Sequence, residues 1–368
     1  MLKEGKVGVY DTICLLTIMI SSKVLFSSAR NVVEIAGGAS WLLTTVSSLT
    51  ALLGFLIYYQ LIKRFPGLEL NEILEIVFGT ILGKILSFVL CLLFFYNSTL
   101  FIREFVEAIK IYEYPMTPPS FIMLFFILAL IAALYHGLEG LTRTASFFFL
   151  YILAGIAMLL ALGIYLYRLS NLYPLLGYGL GEIIFHGIER SSVYGDVLLL
   201  TIVLKSLQGQ EHFKKIGVIS ILLSGLIIAI CFLCYSLAFP YFVGLENTIP
   251  LLGLARTIAY GNFFQRFESI FIFVWSISAI IATGANLYAA LSIYCKTLRI
   301  SDFRTLLPPL CILLFAVAFL HADLSNVAYI YVSFFRFYGG IIYFGIPLLT
   351  LLVALMRGKK KKVAQQNA

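Results

Sequence analysis

Runs of about 20 predominantly apolar residues recur along the chain between short clusters of Gly, Pro and charge, and a helix of that length crosses the hydrocarbon of a bilayer. The pattern predicts spans near 8–30, 39–62, 82–112, 118–137, 143–167, 182–206, 214–241, 266–295, 305–323 and 333–356. The third and eighth exceed what a bilayer needs, which predicts tilt or protrusion. Two spans are interrupted in mid-run by polar residues. These are Ser21-Ser22-Lys23 in the first, and Glu189-Arg190-Ser191-Ser192 through Gly195-Asp196 in the sixth. A bilayer admits irregular backbone and ionisable groups only where protein encloses them, so interruptions five spans apart predict a ligand pocket near the midplane, between spans one, three, six and eight.

The connections predict pairing of the two fives. Phe65-Pro66-Gly67-Leu68-Glu69-Leu70-Asn71-Glu72-Ile73-Leu74 lies between spans two and three, and an amphipathic stretch from Ile249-Pro250 to Tyr260 lies between spans seven and eight. A short Pro-initiated helix in the same slot of each half, on opposite faces, is what an odd-numbered inverted repeat generates. The expected fold class is an all-α polytopic membrane protein of ten transmembrane helices, a five-plus-five inverted repeat with helices 1 and 6 broken. The expected division is 1–169, 170–356 and a basic tail at 357–368.

Composition agrees, with 61% hydrophobic and 12% charged residues, beyond what a soluble domain keeps in solution. On the ten-span map seventeen Lys and Arg residues fall on one side, Lys63, Arg64 and the Lys359–Lys362 run among them, and seven on the other. Both termini are therefore expected to be cytoplasmic. The net charge of +8 fits a basic face apposed to anionic lipid and needs no nucleic acid. The first run is too long and too polar at its centre for a cleaved signal peptide and is expected to remain a helix. All six cysteines sit in apolar runs as small hydrophobes. His136, His186, His212 and His321 show no metal-ligand spacing, and no metal or cofactor is expected. No zinc-protease helix, phosphate-binding glycine loop or nucleophile elbow occurs, so no enzyme activity is expected.

The ordered features resemble the B subunit of bacterial spore germinant receptors over nearly the whole chain. They are the broken first span, Phe65-Pro66 followed by Glu69 and Glu72, Gly177-Tyr178-Gly179-Leu180-Gly181 leading to Gly195-Asp196, and Gln265-Arg266-Phe267-Glu268-Ser269-Ile270-Phe271 with Trp275. The Arg-Phe-Glu-Ser run followed by Trp is the most specific of them. That family belongs to the amino acid–polyamine–organocation transporter superfamily. The resemblance implies a sensor of small germinants such as amino acids in the spore inner membrane, beside a channel-like A subunit and a lipid-anchored C subunit. Relatives usually carry a glycine-rich turn at the first break, whereas this chain has Ser21-Ser22-Lys23-Val24.

The second half-helices are expected to begin near Lys23 in span one and near Asp196 in span six. At such breaks half-helix N-termini favour a carboxylate and the preceding carbonyls an ammonium, so a zwitterionic amino acid is the expected guest. Candidate ligand-binding residues are Ser21, Ser22, Lys23 and Val24 at the first break, and Ser191, Ser192, Tyr194, Gly195 and Asp196 at the second. Tyr96, Asn97, Thr283 and Asn286 face them from the midpoints of spans three and eight. Lys23 has three readings: an ion pair with Asp196 or Glu189, direct contact with a ligand carboxylate, or snorkelling to an interface. Glu189 and Arg190 read as gating or structural pairing in an outer vestibule, Arg103 and Glu107 as a pair on one face of span three, and Arg266 and Glu268 as an outer anchor. Two functions from different classes fit these residues: a ligand-sensing receptor subunit, and a proton- or sodium-coupled transporter of amino acids or polyamines.

Overall fold

The computed structural model describes residues 5–261, 267–330 and 337–360. The chain opens with α1 (Val9–Ser21), one 3-10 turn (Ser22–Leu25) and α2 (Ser28–Ala36), then α3 (Ser40–Arg64), α4 (Leu70–Phe78), α5 (Thr80–Tyr112), α6 (Pro119–Tyr135) and α7 (Gly137–Leu162). The second half begins with α8 (Leu180–Glu189), a nine-residue 3-10 run (Arg190–Leu198) and α9 (Leu199–Ile202), followed by α10 (Phe213–Ala238), α11 (Tyr241–Gly244), α12 (Pro250–Thr257) and α13 (Glu268–Leu298). It closes with α14 (Leu307–Ala318), α15 (Leu324–Ile330), α16 (Tyr338–Gly340), a π turn (Ile341–Gly345) and α17 (Ile346–Met356). Among the described residues six helices are long and apolar enough to cross a membrane, and α6 and α14 are shorter apolar helices. The two remaining expected spans are the interrupted segments, so the breaks in spans one and six are features of the fold.

Local chemistry sets the ends of the elements. Glu69 and Glu72 form a capping box at the start of α4, with the Glu69 amide donating to Glu72 Oε2 at 3.0 Å, which satisfies two otherwise orphaned donors. The chain then turns back at Gly79, whose φ of +91° disfavours any side chain. Pro250 begins α12 in the equivalent slot of the second half. Close helix approach uses small residues: a Cβ on Gly217 of α10 would lie 2.0 Å from the Phe55 ring of α3, and one on Gly225 would lie 2.2 Å from Ser48 Oγ. Helices α5 and α13 pack along each other at the centre, and α1 lies between α7, α10 and α13. Both breaks are thereby walled by protein.

Candidate functional site

The backbone leaves helical geometry in span one where polar side chains interrupt the apolar run. Ser22–Leu25 form the 3-10 turn, Phe26 is extended (φ −105°, ψ 170°), and the second half-helix begins at Ser28 rather than near Lys23. In span six the backbone narrows to 3-10 winding from Arg190 and regains α geometry at Leu199, three residues beyond Asp196. The two breaks meet through one ion pair. Lys23 Nζ lies 2.7 Å from Asp196 Oδ2 with both side chains buried, and Lys23 also donates to the Val193 carbonyl. A pair this deep is held against desolvation by its own attraction and by added hydrogen bonds. Tyr343 of the π turn supplies one, its hydroxyl 3.5 Å from Asp196 Oδ1, and Tyr58 of α3 donates in turn to the Tyr343 carbonyl at 2.9 Å. Gly195 makes room for this ring, since a Cβ there would fall 2.3 Å from Tyr343 Cδ2.

Of the three readings of Lys23, the geometry is that of the internal pair, with Asp196 as its partner. Glu189 instead meets His186 Nδ1 at 2.8 Å, and Arg190 donates to Asn31 of α2, so these neighbours serve separate contacts as their divergence on a helix requires. Ser22 Oγ bonds back to the Met19 carbonyl at 3.2 Å. Ser21, Val24, Ser191, Ser192 and Tyr194 are buried, Val24 and Tyr194 lining one cavity with Lys23. Asn97 and Asn286 join α5 to α13 at 2.8 Å, and Thr283 accepts from Ser98 through its carbonyl at 3.4 Å. Tyr96 lies elsewhere, its ring against His321 at 5.6 Å. Arg103 and Glu107 pair at 2.9 Å, buried, with the guanidinium over the Phe319 ring. Glu268 is buried in the first turn of α13, where a carboxylate suits the helix dipole, and Arg266 lies outside the described residues.

Two contributors have no place among the sequence candidates. Tyr343 is one. The other is Glu104, fully buried on α5, whose Oε1 accepts from the Ser27 amide at 2.5 Å. That amide stands at the start of the second half-helix, the position expected to receive a ligand carboxylate, and an internal carboxylate holds it. An ionisable residue within a span was the available signal. It was masked by the adjacent Arg103, whose i,i+4 partnership with Glu107 draws attention to a different face.

Open space also falls elsewhere than expected. The corner between spans one, three and eight is packed by aromatic rings, Phe26 against Phe101 at 4.9 Å and Trp275 at 5.3 Å, and Phe105 against Trp275 at 5.1 Å. A cavity of about 30 Å³ lies beside the ion pair instead, walled by residues of spans one, two, six and seven that include Lys23, Thr44, Tyr194 and Phe232. That space admits water and is small for an amino acid. The α4 end of the bundle is closed as well. Lys296 Nζ meets Glu69 Oε1 at 3.0 Å and the Ile202 carbonyl at 2.7 Å, Lys205 Nζ meets Glu72 at 2.5 Å, and Val7 is bridged to Ser206 and Gln208 at 2.8 and 2.9 Å.

Comparison with known proteins places this geometry among relatives. A family model described as spore germination protein matches residues 6–327. Spore germination protein KB of Bacillus subtilis (strain 168) is 26% identical over 261 residues, which cover 70% of this chain and 70% of that protein. Spore germination protein A2 of the same organism is 26% identical over 234 residues, 61% of this chain and 62% of its own length. Among solved structures, Mhp1, a nucleobase-cation-symport-1 family transporter in a closed conformation with bromovinylhydantoin bound, superimposes with a TM-score of 0.61. That match has 13% identity and covers 96% of this chain and 94% of the other. It establishes a shared transporter fold and nothing about ligand.

Proposed function

Because the chain belongs to the spore germination protein family, we propose that it is the germinant-sensing integral membrane subunit of a spore germination receptor, binding a small zwitterionic nutrient such as an amino acid and signalling to partner subunits. The observation that carries the reading is the Lys23–Asp196 pair, which ties the two broken segments together at 2.7 Å. A zwitterion can open it by exchange: its carboxylate takes the Lys23 ammonium and its ammonium takes the Asp196 carboxylate. Each new charge-assisted contact needs about 2.7–2.9 Å of its own, so insertion at least doubles the separation of the two charges and forces spans one and six apart. The small cavity then belongs to the unliganded arrangement, and ligand affinity differs between the two arrangements, which is all a sensor requires.

On this reading Ser21, Ser22, Val24, Ser191, Ser192, Tyr194 and Gly195 line the opened site. Asn97, Thr283 and Asn286 hold the α5–α13 wall behind it, and Tyr96 is peripheral. Glu189, Arg190, Arg103, Glu107, Arg266 and Glu268 are assigned to gating or structure. We place the repeats at 1–169 and 170–356, both termini in the cytoplasm, the bilayer as the spore inner membrane, and a channel-like A subunit and a lipoprotein C subunit as partners. The shared fold with a transporter keeps coupled amino acid or polyamine transport as the competing reading. A thermal-shift screen of purified protein over amino acids, sugars and nucleosides tests the proposal, since a ligand at 100 times its Kd raises folded-state stability by about 2.7 kcal/mol. A shift with an amino acid that Lys23→Met abolishes is the expected result. Shifts only with sugars or nucleosides would defeat the zwitterion assignment.

A further inference from the structure

The α3 and α17 ends that carry the basic residues enclose a groove of about 440 Å³, lined by Gln60, Lys63 and Arg64 on one wall and Leu351, Leu355 and Lys360 on the other. Its chemistry is divided along its length. Leu351 and Leu355 are one turn apart on α17 and form an apolar strip along one wall, while three cations also line the groove. Arg64 braces the groove: its Nε donates to the Lys359 carbonyl at 2.7 Å and its Nη2 to the Ala354 carbonyl at 3.1 Å. Lys359 and Arg357 anchor the same end onto α4 through the Ile76 and Val77 carbonyls, at 2.6 and 3.1 Å. The backbone is therefore fixed around the groove. Lys63 and Lys360 remain exposed at its mouth, and none of the three cations pairs with a carboxylate among the described residues.

We propose that this groove is a binding site for an anionic phospholipid of the surrounding bilayer, with the headgroup phosphate on Lys63, Arg64 and Lys360 and the first part of an acyl chain along Leu351 and Leu355. A free phosphate would satisfy the cations but leave the leucine strip in water. A zwitterionic lipid would satisfy the strip but bring an ammonium toward three cations. Only a lipid with net negative charge complements both halves of the groove. The site joins span two to the last span, so the lipid bridges the first repeat to the second.

The test uses the full chain in detergent, with lipid retention read by native mass spectrometry. Phosphatidylglycerol and phosphatidylcholine of identical acyl chains are the probes, and inorganic phosphate and glycerophosphoglycerol are the soluble competitors. Wild type should retain phosphatidylglycerol preferentially, and neither competitor should displace it. Lys63→Gln with Lys360→Gln should reduce that preference roughly 30-fold, two charges having been removed. Lys63→Arg with Lys360→Arg should keep it, and Lys84→Gln with Lys215→Gln, of equal charge change, should leave it intact. A photoactivatable phosphatidylglycerol on unmodified protein should label 351–360, which tests the site without any variant. Equal retention of the two lipids, an unchanged preference in the Lys63/Lys360 glutamine variant, or labelling confined to other segments would overturn the site. Displacement by inorganic phosphate would reassign it to a soluble anion and overturn the lipid.

Discussion

Removing one member of the Lys23–Asp196 pair and removing both are different experiments. Lys23→Met leaves a carboxylate enclosed without its counter-charge, and Asp196→Asn strands the ammonium. Either change should cost about 3–5 kcal/mol, and the double variant should cost less than the worse single one. Apparent unfolding temperatures of the three proteins in one detergent check this, and a double variant as unstable as the sum of the singles would mean the pair is not a unit. Glu104 makes a separate prediction. Glu104→Ala removes the acceptor of the Ser27 amide and should destabilise by about 1–3 kcal/mol, while Glu104→Gln keeps an acceptor oxygen and should lose less. Equal melting of the two variants would show that the carboxylate does not cap the half-helix. At this scale the sequence disclosed the ionisable residues in the breaks but not all their partners. Lys23 had two acids within reach in sequence logic, and three-dimensional winding chose between them. Tyr343, 147 positions from Asp196, has no sequence-local cue to its role.

Helix α4 acts as a bolt across the ends of spans six and eight. Its capping-box acids are also its docking groups, Glu69 reaching Lys296 and the Lys205 amide, and Glu72 reaching the Lys205 side chain. Glu69 and Lys296 are largely buried, so this contact exceeds the small worth of an exposed pair. Glu69→Gln with Glu72→Gln should therefore loosen the α9-to-α10 connection and raise amide exchange over 203–208 by roughly tenfold, ~1.4 kcal/mol of local opening. Exchange unchanged there but raised within α4 would assign the acids to capping alone. The element level was largely legible because its signals are periodic: apolar runs gave the spans, Glu69-x-x-Glu72 and Pro250 gave the two connecting helices, and polar interruptions gave the breaks. The helical restart at Ser28 instead of Lys23 was not legible, because no glycine or proline marks it and the extended Phe26 is set by the rings it packs against. Aromatic residues carry no directional sign along an apolar span. Rings that face lipid and rings that fill the corner between spans one, three and eight look alike until the helices are assembled.

For the molecule as a whole the question is whether ligand crosses. A carrier must expose its site to each side in turn with ligand bound, and here α4 bolts one end while the aromatic cluster of Phe26, Phe101, Phe105 and Trp275 packs the region beyond the first break. A sensor needs only one of two arrangements to bind better, and a tenfold difference in affinity supplies ~1.4 kcal/mol of bias toward the partner-signalling state. On the proposed reading the ion pair suits the second task, because a zwitterion inserted between Lys23 and Asp196 would convert binding energy directly into separation of spans one and six. Reconstituted alone in liposomes, the protein should bind the amino acid identified by thermal shift and should not concentrate it under an imposed proton or sodium gradient. Asp196→Asn should then lose binding with no uptake to lose. Gradient-driven accumulation in wild type that Asp196→Asn abolishes would instead make the same pair the coupling site of a transporter, with Asp196 as the group that takes the driving cation.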